Sequence, residues 1–283
     1  MISARAIDIA VVIAYLVGIT AYGVWAGRKA NRSTESYFLA GRKLGWAAIG
    51  FSLFATNISL DGFVGGNGMA YRIGIASFVP ELTGGLMLTI SALVFIPIFL
   101  RSKIFTIPQF LELRYNRASK VLLGVLFVCQ SLLIAPLMTY TAAIAALGLF
   151  GFEISVANVL TAAVIITAIV GTYSIIGGLT SVVVTDIVQV LIMLAGGLAV
   201  TALGLAKVGG LGALFSSGGS EMFTLLRPAD DPYLPWNAII PGQLTNALFF
   251  SCASYSILQR ALGASDVGHA QKGLLLGAFL KMF

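Results

Sequence analysis

Seven stretches of this chain, near 7–26, 45–71, 78–100, 121–149, 155–176, 182–205 and 237–258, are apolar for about 20 residues or more, and an eighth begins near 270. A helix of that length matches the hydrocarbon thickness of a bilayer. Inside lipid the backbone must satisfy its own polar groups, so the runs predict an all-α polytopic membrane protein. Hydrophobic residues make up 58% of the 283 positions and charged residues only 10%, a balance outside that of soluble domains. The first run has no small-residue cleavage site after a short apolar core, so it reads as a retained span rather than a signal peptide. Cys129 and Cys252 both fall within apolar runs and imply no disulfide framework.

The basic residues set the orientation. With the N-terminus outside, the inner loops hold Arg28, Lys29, Arg32, Arg42, Lys43, Arg101, Lys103, Arg114, Arg117, Lys120, Arg260 and Lys272. Only Arg5, Arg72, Lys207 and Arg227 then lie outside. This split follows the positive-inside rule, predicting an external N-terminus in a cell membrane. The net charge of +6 therefore reflects topology and carries no nucleic-acid signature. Residues 104–116, with Pro108 near the start, read as a short amphipathic helix on the inner face. Gly177-Gly178 marks a tight turn between two spans. Residues 207–236 form an external loop with one short helix.

The second run is interrupted where it should be most apolar. Asn57, Ser59 and Asp61 lie in its middle, followed by Gly62, Gly65, Gly66 and Gly68. An ionised Asp at membrane depth costs roughly 2.5–3.5 kcal/mol, so it needs a partner or a task. Each glycine weakens a helix by up to ~1 kcal/mol, which invites unwinding. Unwound backbone in a membrane frees carbonyls that a bound cation can satisfy. A kinked helix packing its small residues against a neighbour explains the same glycines.

Other polar residues fall at membrane depth. Glu81 opens the third span, either at the interface or lining a pocket. Thr185, Asp186 and Gln189 share part of one face of the sixth, an internal polar cluster unless Asp186 is solvated at the membrane edge. Lys281 sits about eleven residues into the eighth run, too deep to reach the headgroups easily. An acid and a base in different spans are what a polar solute pocket requires. The seventh span begins with Pro241-Gly242 and adds Gln243, Asn246, Ser251, Ser254 and Tyr255. Discontinuous helices at corresponding places in two halves point to a transporter binding site, and the second and seventh spans are the candidates. His269 reads as a solvated surface residue. Zinc spacing, a nucleophile elbow and a Cys/His pair are all missing from the sequence, so hydrolytic or metal chemistry has no support and no enzyme is expected.

Several motifs carry a resemblance. Phe38-Leu-Ala-Gly-Arg42, Gly50 to Ser59, Thr106-Ile-Pro-Gln-Phe-Leu-Glu112, Gly177 to Gln189 and Ile257-Leu-Gln-Arg-Ala-Leu262 resemble the sodium:solute symporter family, most of all its bacterial sodium/sugar branch. The resemblance implies a LeuT-type fold: one extra helix, then two inverted five-helix repeats. Residues 1–283 would form a single transporter domain holding the first repeat and the opening of the second, an N-terminal fragment inactive alone. It further implies that the carbonyls of Ala55 and Ile58 face Na⁺, with Asp186 as a nearby charge. Glu81 and Lys281 fall on substrate-pocket positions, and Phe250 on an aromatic inner gate where tyrosine is usual. Gly62 and Ala247 stand where sugar carriers place amides, leaving Asp61 and Asn246 beside them, with Asn57, as pocket candidates. The implied function is sodium-coupled symport of a small polar solute, a sugar or polyol. Amino-acid or carboxylate symport, and a membrane sensor module of a longer signalling protein, are the alternatives.

Overall fold

The computed structural model describes residues 6–30, 33–58, 60–217 and 219–282, with side chains placed at all of these except 6, 29, 30, 60, 61, 63, 64 and 217. Among the described residues the chain is all-α. The helices are α1 (Ala6–Ala30), α2 (Thr34–Leu39), α3 (Trp46–Asn57), α4 (Leu60–Ile73), α5 (Val79–Ile90), α6 (Ile96–Arg101) and α7 (Ile107–Arg114). There follow α8 (Arg117–Phe150), α9 (Val156–Val208), α10 (Leu211–Ser217), α11 (Trp236–Ala238), α12 (Thr245–Ala253), α13 (Tyr255–Leu262) and α14 (Val267–Leu280). Four helical runs among them, Ile7–Arg28, Gly65–Arg101, Arg117–Phe150 and Val156–Val208, are long and apolar enough to cross a membrane.

The other expected spans are divided helices. The run 45–71 is cut at Ile58, whose φ of −89° and ψ of 103° end α3 in extended backbone. The run 237–258 is cut at Ser254, with φ −63° and ψ 131°. That second break lies well past Pro241-Gly242, which instead sit in a wide π turn over Ile239–Leu244. The fifth and sixth spans form one helical path, α9, interrupted only at Gly178 with φ 54° and ψ −154°. Only glycine holds that conformation without strain, and a Cβ there would stand 2.5 Å from the Tyr37 carbonyl oxygen.

Proline shapes the third span. Pro97 has no N–H to donate, and the preceding turn widens to a π turn over Ser91–Phe95, in which the Ile96 amide bonds back to the Ser91 carbonyl. The Ala92 carbonyl, bypassed by that shift, accepts from Gln271 Nε2 of α14 at 3.1 Å. Ser91 Oγ donates to the Ser251 carbonyl at 2.9 Å, satisfying the frayed end of α12.

The main core lies where α3, α5, α6, α13 and α14 meet. Ile49, Leu53, Leu88, Ile96, Ile257, Leu258 and Leu274 are fully or almost fully buried there. By contrast, α1, α8 and α9 expose aliphatic side chains along much of their length, among them Val17, Leu133 and Leu198. Water makes such stripes costly and lipid does not, so the exposure fits helices bathed in bilayer.

At the end bearing the Arg28–Lys43 loop, residues 33–45 tie the divided helices together. Leu44 pairs with Ala264 as an isolated bridge: its amide donates to the Gly263 carbonyl and its carbonyl accepts from the Ser265 amide. Gln259 Nε2 donates to the Phe38 carbonyl at 2.8 Å. Arg42 pairs with Glu35 at 2.8 Å and lies over the Phe105 ring. The amphipathic helix forms as α7, with Pro108 in its first turn. The loop 207–236 holds α10 and a short 3₁₀ turn, Ser220–Phe223. It is closed by a compact knot in which Asp231 pairs with Arg227 at 2.8 Å and accepts from the Tyr233 and Leu234 amides. Those amides, then the Arg227 guanidinium, hold the Asp231 carboxyl below the usual carboxylate range.

Candidate functional site

Two polar clusters attach to α3 ahead of its break, one through Ser52 and one through Asn57. A helix that stops leaves up to four carbonyls without ladder partners, and Ala55, Thr56 and Asn57 are in that last turn. Ile58 adds an extended carbonyl. Ser59 and the Asp61 side chain lie outside the described residues, so the expected role of Asp61 has no geometry to set beside it.

The first cluster joins three of the expected pocket residues. Asn57 donates its amide nitrogen to the Leu53 carbonyl at 2.8 Å, which leaves its oxygen free to face α14. Lys281 at the end of α14 donates to that oxygen at 3.2 Å and pairs with Glu81 Oε2 at 3.1 Å. The lysine side chain is 9% exposed and the glutamate 48%. The ammonium is thus sheltered, while the acid opens onto a cavity of about 490 Å³ that is also lined by Ile73, Ser77, Tyr233 and Gln243. Gly84 makes room for the ammonium: a Cβ there would stand 2.8 Å from Lys281 Nζ.

The second cluster surrounds Asp186. Its Oδ2 accepts from Ser52 Oγ of α3 at 2.5 Å and from Arg260 Nη2 of α13 at 3.1 Å. Arg260 Nε also donates to Ser52 Oγ, and Nη1 to the Ser256 carbonyl, each at 2.5 Å. Asp186 is 9% exposed and Arg260 8%. One buried ion pair therefore binds both divided helices to α9. Asp186 is thus enclosed by protein rather than solvated, and Thr185 beside it is buried as well. Arg260 also departs from expectation: it is not an inner-loop residue but the base inside the cluster. Removing it from the inner-loop tally leaves the basic asymmetry in place.

Asn246 and Phe250 stand apart from the lysine cluster. Asn246 is exposed, while its neighbour Ala247 is buried. Phe250 is half-buried, packs on the main core and lines a second cavity of about 640 Å³ with Gln130, Ser131, Ser254 and Tyr255. The second break sits at this cavity, where Ser254 Oγ and Ser256 Oγ approach to 2.8 Å. His269 is 44% exposed and pairs with Asp266, the N-cap of α14, at 2.7 Å.

Sequence reasoning missed Ser52, Ser256 and Arg260. Serines inside apolar runs carry little signal, because a helix can absorb the hydroxyl on its own carbonyl. Arg260 had a readable signal: an acid in the sixth span demands a base, and Arg260 follows an apolar run by two residues.

Comparisons with known proteins bear on the family and the fold. The model of the sodium:solute symporter family matches residues 37–282. A sodium/glucose cotransporter of Vibrio parahaemolyticus is 36% identical over 291 residues, covering 98% of this chain and 52% of that protein. A human sodium/myo-inositol cotransporter is 30% identical, covering 97% of this chain and 42% of its own length. The chain thus spans about half the length of the curated relatives it matches. Among solved structures, a Na⁺-coupled sialic acid symporter in a substrate-bound outward-open state superposes with a TM-score of 0.88 at 22% identity, over 99% of this chain and 58% of that one. The fold is therefore the LeuT type, its first repeat and the start of its second, in a multi-pass membrane protein. With the family model matched over most of the chain and the divided helices in place, this chain belongs to the sodium:solute symporter family.

Proposed function

We propose that these residues form the first half of a carrier, not an enzyme, that couples inward movement of Na⁺ to uptake of a sugar or polyol across the cell membrane, with its N-terminus outside. The observation that carries the reading is the sheltered Lys281 ammonium held between Asn57 and Glu81 beside the break in α3. A buried cation and a partly exposed acid can hydrogen-bond a ring of hydroxyls from two sides while keeping the pocket nearly neutral. A monocarboxylate would set its charge against Glu81, which opposes binding. The relatives, glucose and myo-inositol cotransporters, support the same solute class. In this reading Ala55 and Ile58 offer carbonyls to Na⁺, with Asp186 close by. Asn57, Asp61, Glu81, Asn246 and Lys281 are assigned to solute binding, and Phe250 to the inner gate.

The energetics suffice without ATP. A potential near 100 mV supplies ~2.3 kcal/mol per charge, and a tenfold sodium gradient adds about 1.4 kcal/mol. Together these support accumulation of roughly 500-fold per Na⁺. Amino-acid symport is the second reading, favoured by the acid–base pair itself, which a zwitterion can match at both ends. The test is uptake of labelled glucose and myo-inositol into proteoliposomes holding the full-length transporter, with a sodium or choline gradient. Unlabelled sugars, amino acids and short-chain acids serve as competitors. Sodium-dependent uptake competed by sugars is expected. Competition by amino acids or acids alone would overturn the sugar assignment, and uptake indifferent to sodium would overturn the symport.

A further inference from the structure

The Asp186 cluster has a charge balance that bears on ion affinity. Asp186 is the buried acid nearest the end of α3 among the described residues, held there by Ser52, one turn before Ala55. Its charge is already matched, because a guanidinium stays protonated in any protein environment and Arg260 lies 3.1 Å from it. The pair is neutral before any ion arrives.

We infer that Arg260 is a positioning residue that sets the sodium affinity: it holds Asp186 as its own partner, so that Na⁺ at the α3 break meets a neutral cluster rather than a free carboxylate. This rests on the sodium-coupled reading above and adds a sign to it. A cation entering beside a neutral pair is held by carbonyl dipoles and a shared acid, which favours weak binding and ready release. Arg260 reaches the cluster from α13, on the second divided helix, while Ser52 reaches it from the first. Sodium affinity thus depends on how closely the two divided helices approach α9. When α13 withdraws, Asp186 is freed and the ion is held more tightly; when α13 returns, the ion is expelled.

Charge arithmetic gives an order that ordinary structural damage would not. Arg260→Gln leaves the cluster at −1, Asp186→Asn leaves it at +1, and the double variant restores neutrality. A unit charge roughly 10 Å away in partly polar surroundings changes a binding constant about tenfold. The experiment measures sodium binding to the purified full-length transporter by the sodium-dependent rise in its unfolding temperature, with choline holding ionic strength constant. Sodium-driven uptake is measured in parallel. Arg260→Gln is expected to lower the half-saturating sodium concentration about tenfold, and Asp186→Asn to raise it about tenfold. Arg260→Lys and the double variant are expected to stay near the parent. The double variant carries no unpaired buried charge, so it keeps the test alive if Arg260→Gln folds poorly. Weaker or unchanged sodium binding in Arg260→Gln, or a double variant as impaired as the worse single one, would overturn the inference while leaving sodium coupling intact. A parent protein whose unfolding and uptake ignore sodium would overturn the sodium reading and this inference with it.

Discussion

A methyl group at Gly84 should separate solute affinity from stability. The glycine lies inside α5, and a Cβ built on it stands 2.8 Å from Lys281 Nζ and 3.6 Å from Cε. Reaching ordinary contact requires the ammonium to retreat by about 0.6 Å. Its polar contacts are 3.1 Å to Glu81 and 3.2 Å to Asn57, so such a shift is enough to carry one of them past hydrogen-bond length. An ammonium so displaced no longer meets the solute, and losing that charge-assisted hydrogen bond costs about 1.5–3 kcal/mol, which corresponds to a KM raised roughly tenfold to a hundredfold. Stability moves little. Glu81 is half exposed and screened, so the pair adds at most about 1 kcal/mol to folding. Replacing a mid-helix glycine with alanine returns up to ~1 kcal/mol of helix propensity. The assay is solute uptake in proteoliposomes under a fixed sodium gradient, together with the unfolding temperature in detergent. Lys281→Ala should show a loss of the same size, and the double variant should add nothing further, since both act on one ammonium. An unchanged KM in Gly84→Ala, with the fold intact, would refute a role for this lysine in solute binding.

Gly178→Ala should fail as a fold variant, since φ 54° and ψ −154° exclude a side chain and the Tyr37 carbonyl lies 2.5 Å from the new methyl. A loss of roughly 1–3 kcal/mol or more is expected, read as a lower unfolding temperature or reduced membrane yield. The loop 207–236 should loosen in acid. Asp231 has its pKa lowered on folding, so its contribution is complete above the usual carboxylate value of 3.8 and is lost as pH falls through the still lower folded value. Chymotrypsin cleavage after Tyr233 at neutral pH in Asp231→Asn, but not in the parent, would report the same knot opening, and equal resistance of both would count against it.

The apolar runs were enough to place nearly every span, because length and hydropathy are local properties. The break at Ile58 was legible for the same reason: polar residues and glycines crowd within a few positions of it. The break at Ser254 was not. It carries neither glycine nor proline, and its cause is tertiary: the helix end is satisfied by Ser91 from α5's continuation and by the Ser254–Ser256 contact. Arg260 was misplaced because hydropathy loses α13 at its polar end, whereas packing against α3 and α9 buries it. Asn57, Glu81 and Lys281 were each visible as polar residues in apolar surroundings. Their convergence across 224 positions, from Asn57 to Lys281, needed the folded chain.

The joint between Leu44 and Ala264 is made of backbone alone. Amide and carbonyl are common to all residues but proline, so the joint does not depend on the side chains of Leu44 or Ala264, although a Cβ at Gly263 would stand 2.9 Å from the Leu39 carbonyl oxygen. Mechanically these two hydrogen bonds tether the foot of α3 to the hairpin between α13 and α14, so the two divided helices are joined at this end and free to part only at the other. Beyond the tether lies the charged contact between Arg260 and Asp186, where a few ångströms of travel change the electrostatics abruptly.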